Sequence, residues 1–452
     1  MTGQKPREIA ARILREHAKG GAFLEDRLEA ALASARLAPP DRRLCQELVC
    51  GVTRWRATLD WLIARKTAGR PQKPALQELL RLGLYQLFWL DRVPPHAAVN
   101  ETVELAKRRG FGPQAGFVNA LLRGYLREAE ATGRMLEELK IRQPAVGWSH
   151  PEWLVDRWRS RWGDQPTVAL LQWNNTPPAT FARVNTLKAE AGKLLERWRM
   201  KENVEYDFVR RDWLEENLIF ELKAHPPLAS LGSFRSGWFY AQDPSTVLAV
   251  RALNPQAGDT VLDWCAAPGG KTTLLAQYMN NEGRIVARDA SAERLELLRE
   301  NCTRLGVTCV ETCAPGDPLP RPGRFDKVLL DAPCSNTGVL RRRLDLRWRL
   351  RATELGRLRH AQRALLEEVA TYVRPGGRLV YSTCSLEPEE NHEVVREFLA
   401  GHPEFTLRSQ RELLPFTDGV DGAYVATLDR VGAPARAALA AGGVSGPGVA
   451  NA

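Results

Sequence analysis

Two cysteines stand where a sheet delivers chemistry. Cys334 lies in LLDAPCSNTGVLRRR and Cys384 in LVYSTCSLEPEEN, each directly after an apolar, strand-like run and flanked by small polar residues. Open parallel sheets gather ligand and catalytic groups at the carboxyl ends of their strands. A lone cysteine is most often a small buried hydrophobe. Two in this setting point instead to thiolate chemistry, in which the ionised sulfur is a nucleophile or a ligand. The ligand option is weak: neither cysteine has a second Cys or His within metal-ligand spacing, so no metal is expected. Cys302, Cys309 and Cys313 are irregularly spaced, Cys45 and Cys50 lie on a helical pattern, and all five read as structural.

The strongest single motif is TVLDWCAAPGGKTT, a strand running into a Gly-Gly turn that opens a helix. Glycine lets backbone approach a ligand, and a helix N-terminus offers unpaired amides. A phosphate-cradling P-loop needs glycine five residues before the Gly-Lys-Thr, and Cys265 occupies that place. The next strand, GRIVARD, ends in Asp289, about 20 residues beyond Gly269-Gly270. A carboxylate there can accept both ribose hydroxyls of a nucleoside cofactor, or cap the helix that starts in SAERLELL. Asp317, in CAPGDP, can meet an adenine amino group or cap a turn. Lys271 opens the helix after the turn and is either a site residue or a solvated one.

The rest of the chain supplies elements able to hold these groups. It has 452 residues, 44% hydrophobic and 26% charged, which is ordinary globular composition for two or three domains. No apolar run approaches the length of a membrane span, and MTGQKPREIA lacks the apolar core of a signal peptide. Eight cysteines then suit a reducing cytoplasm. Residues 1–142 read as an all-helical unit, with apolar residues at helical spacing and breakers at Gly20-Gly21, Pro39-Pro40, Pro71, Pro94-Pro95 and Gly110. This unit holds 25 basic and 16 acidic side chains, nearly all of the net +10, which suggests a polyanionic partner there, although many basic proteins bind none. Residues 143–240 mix strand-like and helix-like stretches with frequent tryptophan, and predict a small α+β domain. Residues 241–430 alternate TVLDWC, GRIVARD, FDKVLLD and GGRLVYST with helical patterns, the mark of a parallel sheet covered by helices. Residues 431–452 are rich in Gly, Ala and Pro and predict a disordered tail.

DWCAAPGGKT, DAPCSNTG and YSTCSLEPEEN together resemble the motifs of the RNA cytosine-5 methyltransferases of the Nol1/Nop2/Sun family, in order and at family-like spacing, over roughly residues 145–430. LCQELVCGVTRW, VPPHAAVNETVELAK and GFVNALLRG resemble a NusB-like RNA-binding domain. The resemblance implies a Rossmann-like, class I catalytic domain using S-adenosylmethionine. It implies that Cys265, Ala266, Ala267, Pro268, Gly269, Gly270 and Lys271, with Asp289, Asp317 and Asp331, surround that cofactor. It further implies that Cys384 is the nucleophile and that Cys334 assists release of the enzyme. DNA cytosine-5 methyltransferases use a Pro-Cys cysteine, which would point to Cys334 instead. The fusion implies small-subunit (16S) ribosomal RNA as substrate and a monomeric enzyme. Transfer RNA or large-subunit RNA is the rival substrate, and a non-enzymatic RNA-binding or antitermination factor is the rival class.

A base inside a duplex is unreachable, so the target must be single-stranded or flipped out. Arg341, Arg342, Arg343, Arg347 and Arg349, with Trp348 as a stacking surface, predict an RNA contact just after the second motif. Lys107-Arg108-Arg109 is a weaker candidate of the same kind. Three places depart from the family pattern: Arg343-Leu344 where a His-Pro pair usually precedes the acidic residue, here Asp345; Asn336 where glycine is common; and Ala-Tyr in DGAYVATL.

Overall fold

The computed structural model describes residues 5–318 and 321–432, so the expected tail lies outside the described residues apart from its first two positions. Eight helices fill the N-terminal region, from Pro6–His17 to Ala129–Arg142. Pro39-Pro40 and Pro94-Pro95 do separate helices, and they do so by starting the next one. Pro6, Pro39, Pro74 and Pro95 each occupy the first turn of a helix, where a missing amide costs nothing and the fixed φ suits the helix. Leu48, Leu59, Leu62, Leu80, Leu84, Val118 and Leu122 meet in one solvent-free core.

Helices continue past this bundle. Glu152–Trp162 and Asp164–Asn175 precede a four-stranded antiparallel sheet of β1 (Thr180–Val184), β2 (Glu205–Phe208), β3 (Ile219–Ala224) and β4 (Phe239–Ala241), in the order β2-β3-β1-β4. Trp198, Phe220 and Phe239 fill its core.

The larger sheet has seven strands: β5 (Thr260–Trp264), β6 (Arg284–Arg288), β7 (Val310–Cys313), β8 (Phe325–Asp331), β9 (Val373–Thr383), β10 (Phe405–Leu413) and β11 (Ala423–Arg430). Their order is β10-β11-β9-β8-β5-β6-β7. Five strands are parallel, as the strand–helix alternation predicts, but β11 pairs antiparallel with β9 and β10 with β11. The sheet is therefore mixed: the helix His392–Gly401 carries the chain from β9 out to β10, and β11 returns antiparallel between the two. From β5 the chain moves outward to β6 and β7, then returns to β8 on the other side of β5. The carboxyl ends of β5 and β8 thus flank the switch point, where open α/β sheets hold ligands. Among the described residues no helix is long and apolar enough to cross a membrane.

Candidate active site

β5 ends at Trp264 and the chain turns immediately, with Cys265 at φ 66° and Gly269 at φ 99°. Gly269 caps the helix Gly270–Tyr278 in a left-handed conformation that most side chains resist. The turn is braced from several sides. The Ala266 amide donates to the Arg288 carbonyl (2.8 Å), Asn301 Nδ2 donates to the Pro268 carbonyl (3.1 Å), and Arg294 donates to the Ala267 carbonyl. Asp289 ties β6 to the same turn: one carboxylate oxygen accepts the Ala267 amide (3.1 Å), the other the Ser291 amide (3.0 Å). The N-cap of the following helix is Ser291, whose hydroxyl accepts from the Arg294 amide, so Asp289 is not the cap of that helix. Asp317 is exposed and its carboxylate accepts the Ala314 amide (2.7 Å), which makes it a turn-capping residue in this structure.

Asp331 closes the other flank at the end of β8. It accepts Lys271 Nζ at 2.6 Å and the Ser382 hydroxyl at 2.8 Å. Burial opposes the charge on Lys271, yet the adjoining Asp331 carboxylate outweighs it and holds the ammonium above its usual range. Lys271 is thus a paired site residue rather than a solvated one. Asp263, inside β5, was missed by sequence reasoning because it looks like part of an apolar strand. It is fully buried, accepts the Thr272 hydroxyl (2.6 Å) and leaves its second oxygen without a partner. Burial pushes its carboxyl up to about 7. Cys265, between these acids, is pushed up to about 12 by burial and by Asp331 and Asp289, which suits a neutral lining residue.

The two cysteines converge. Cys334 follows β8, Cys384 follows β9, and their sulfurs lie 3.4 Å apart. The hydrogen bond with Cys384, then burial, pushes the Cys334 thiol well above its usual range. The Cys384 thiol donates to Asn336 Oδ1 at 3.0 Å, and Asn336 Nδ2 donates to the Cys334 carbonyl at 2.7 Å. Asn336 sits at φ 59°, which explains why glycine is common at this place and why asparagine, a frequent left-handed residue, can stand there. Gly338 lets the loops touch. Its amide donates to the Cys384 carbonyl, its carbonyl accepts from the Gly422 amide (both 2.9 Å), and a Cβ on it would lie 2.7 Å from the Gly422 oxygen.

Two further supports were not visible in the sequence. Trp158 donates to Glu387 (3.1 Å) and Arg157 pairs with Glu387 and Glu389, so the helix Glu152–Trp162 buttresses the loop after Cys384. Arg183, on β1 and 1% exposed, donates to the Gly270 carbonyl (2.8 Å) and Thr273 hydroxyl (3.1 Å) behind the glycine turn.

The arginine segment is a correction. Arg347 is fully buried, donating to the carbonyls of Arg54, Ser149 and Asn174 and to Asn175 Oδ1. Arg341 and Arg342 clamp Asp421 and Asp243, and Arg341 lies over Trp173 at 3.9 Å. Arg349 pairs with Asp345, Arg343 with Glu25, and Trp348 donates to the Thr53 carbonyl. Arg341, Arg342 and Arg347 are consumed by buried carbonyls and carboxylates and staple three regions together instead of facing RNA, whereas Arg343 and Arg349 remain exposed while paired with Glu25 and Asp345. Lys107, Arg108 and Arg109 also have internal partners in Glu104, the Glu8 carboxylate and the Glu8 carbonyl.

The residues at the switch point fit S-adenosylmethionine, which pairs a sulfonium cation with a nucleoside and an amino-acid end. Asp289 faces Arg294 (3.6 Å), Asp331 holds Lys271 (2.6 Å), and the buried Asp263 keeps one carboxylate oxygen without a partner, so the crevice offers acceptors as well as paired charge. The first amides of a nine-residue helix open beside a turn whose glycines leave no room to spare: a Cβ on Gly270 would lie 3.2 Å from Gln242 Nε2.

A family profile described as 16S rRNA methyltransferase RsmB/F matches residues 250–429, the NusB family matches residues 4–127, and the RsmF/B-like ferredoxin-like domain matches residues 150–220. The probable ribosomal RNA small subunit methyltransferase B of Bacillus subtilis (strain 168) is 34% identical over 450 residues, spanning 94% of this chain and 99% of its own. The corresponding probable enzyme of Synechocystis is 38% identical over 421 residues, spanning 88% and 90%. The crystal structure of PH0851 covers 95% of this chain and 99% of its own, with a TM-score of 0.76 at 27% identity. The architecture is thus a NusB domain, a ferredoxin-like domain and a Rossmann-like methyltransferase domain, the last drawing its methyl group from S-adenosylmethionine. On these grounds the chain belongs to the family of ribosomal RNA small subunit methyltransferase B.

Proposed function

We propose that this protein methylates carbon 5 of a cytosine in 16S ribosomal RNA through a covalent adduct on Cys384, with Cys334 assisting release. The observation that carries the reading is the pair of thiols 3.4 Å apart at adjacent strand ends, next to the Lys271–Asp331 pair. Carbon 5 of cytosine is a weak nucleophile. A thiolate adding at carbon 6 breaks the aromaticity and makes carbon 5 enamine-like, turning one hard step into easier ones. S-adenosylmethionine, when bound, supplies an electrophilic methyl group. Loss of the carbon 5 proton to a base then lets the carbon–sulfur bond break and returns the thiolate.

The resemblance of YSTCSLEPEEN gives the attacking role to Cys384, whose thiol is oriented by Asn336 Oδ1 at 3.0 Å. Asp331, held by Lys271 and Ser382, is available to nitrogen 3 of the base or to the amino end of the cofactor. Asp289 and the turn from Cys265 to Gly270 would hold the nucleoside part, with Asp317 at its rim. The names of the relatives favour small-subunit RNA over transfer RNA.

The test is tritium transfer from labelled S-adenosylmethionine to 16S RNA, assembled small subunits and transfer RNA, with label mapped to nucleosides. Label in 5-methylcytidine of 16S RNA, reduced at least roughly a thousandfold in Cys384→Ala, is expected. Cys334→Ala should accumulate a protein–RNA adduct on denaturing gels. Label in another nucleoside, or undiminished turnover in Cys384→Ala, would overturn the proposal.

A further inference from the structure

Glu390 lies six residues beyond Cys384 and has no part in the chemistry above, yet it is wholly buried. Its two carboxylate oxygens receive four donors. Oε1 accepts the Ser335 amide (2.8 Å) and Gln362 Nε2 (2.9 Å). Oε2 accepts the Ser385 hydroxyl (2.5 Å) and the Ser335 hydroxyl. Ser335 directly follows Cys334, and Ser385 directly follows Cys384. Gln362 also donates to the Pro333 carbonyl at 2.9 Å, so the Cys334 loop is gripped on both sides of the cysteine. The Tyr381 hydroxyl fixes the Glu390 carbonyl at 2.6 Å, from within β9 itself.

We propose that Glu390 is a positioning residue that sets the two thiols in register with each other, acting on Cys334 through Ser335 and on Cys384 through Ser385. This rests on the cysteine roles proposed above. None of the four donors carries a charge, and burial pushes the carboxyl above its ordinary range. A buried carboxylate without a cation is costly unless its hydrogen bonds are complete. A glutamine would keep an oxygen for the Ser335 amide and Gln362 but turn its NH₂ toward the two serine hydroxyls, reversing the bonds that aim Ser335 and Ser385. The two arms end one residue from different thiols, so removing the hydroxyl bond of each separately affects different steps.

Adduct formation and adduct release are timed separately by quenching reactions with 16S RNA and S-adenosylmethionine and resolving the products on denaturing gels. Ser385→Ala is expected to slow adduct formation about tenfold and leave release within about twofold. Ser335→Ala is expected to prolong the adduct about tenfold and leave formation within about twofold. Glu390→Gln is expected to impair both steps, while melting temperature and S-adenosylmethionine binding report whether the variant folds. The serine variants decide the matter if it does not. The assignment fails if either serine variant leaves both rates unchanged, or if both variants slow both steps equally. Cys384→Ala and Cys334→Ala run alongside: an adduct formed without Cys384 would sink the underlying chemistry, whereas normal cysteine behaviour with indifferent serines would sink only the role of Glu390.

Discussion

The cysteine cleft and the arginine staple occupy neighbouring stretches of the chain, residues 331–339 and 341–349, and solve opposite problems. The cleft buries one carboxylate among neutral hydroxyls and amides, and leaves its two thiols half-exposed. The staple buries cations. Arg347 alone reaches Arg54 in the helical bundle and Ser149, Asn174 and Asn175 in the connecting segment. It has no carboxylate among those partners, and burial pushes its guanidinium down to about 9. The lesson is that a run of arginines shows how many donors the chain carries, not where they are spent. A site keeps reactive atoms accessible and spends its bonds on alignment. A staple spends everything on holding pieces together.

That contrast can be broken by substitution. Arg347→Ala strands three buried carbonyls, so a loss on the order of 3 kcal/mol is expected in chemical denaturation. At low temperature the folded fraction should retain its turnover rate. A variant that stays stable but stops methylating would place Arg347 with the cleft after all. Asp263→Asn sharpens the electrostatic side. The carboxyl of Asp263 is raised to about 7 in the folded protein, so wild type is penalised progressively as pH rises from about 4 through 7, where the unfolded chain releases the proton first. The variant removes that penalty, and its melting temperature relative to wild type should climb between pH 5 and pH 8. A difference that is flat with pH would show that Asp263 is ionised throughout. Asn336→Gly carries the smallest expected effect. Glycine keeps the left-handed backbone but loses the acceptor for the Cys384 thiol, so kcat should change only about threefold, with stability within about 1 kcal/mol. A hundredfold loss would promote Asn336 to a major orienting group.

Much of the site is legible in sequence because it obeys local rules. Glycines mark the turn, and an acid or a cysteine follows each apolar strand, so Asp289, Asp331, Cys334 and Cys384 can be placed at strand ends before any fold is known. Lys271 and Asp331 are 60 residues apart, and their pairing depends on which strands become neighbours. Glu390 sits among other acids in SLEPEEN, and nothing local distinguishes it from Glu389, which pairs outward with Arg157. Arg183 is hidden for the same reason, since its partner Gly270 lies 87 residues away. In the fold, the final hairpin escaped because β10 is mostly exposed and so lacks an apolar signature. The prolines marked the helix boundaries correctly, because a residue that cannot continue one helix is well suited to begin the next.

The backbone contact between Gly338 and Gly422 has a consequence for how the protein is made. Translation delivers the glycine turn, then Cys334, then Cys384, but the surface that seats the Gly338 loop arrives only with residue 422, next to the Asp421 that Arg341 and Arg342 hold. A ribosome-stalled chain ending before Gly422 is expected to alkylate both cysteines faster than the finished protein. A chain interrupted before Gly422 would thus carry both cysteines without the backbone contact that seats the loop between them.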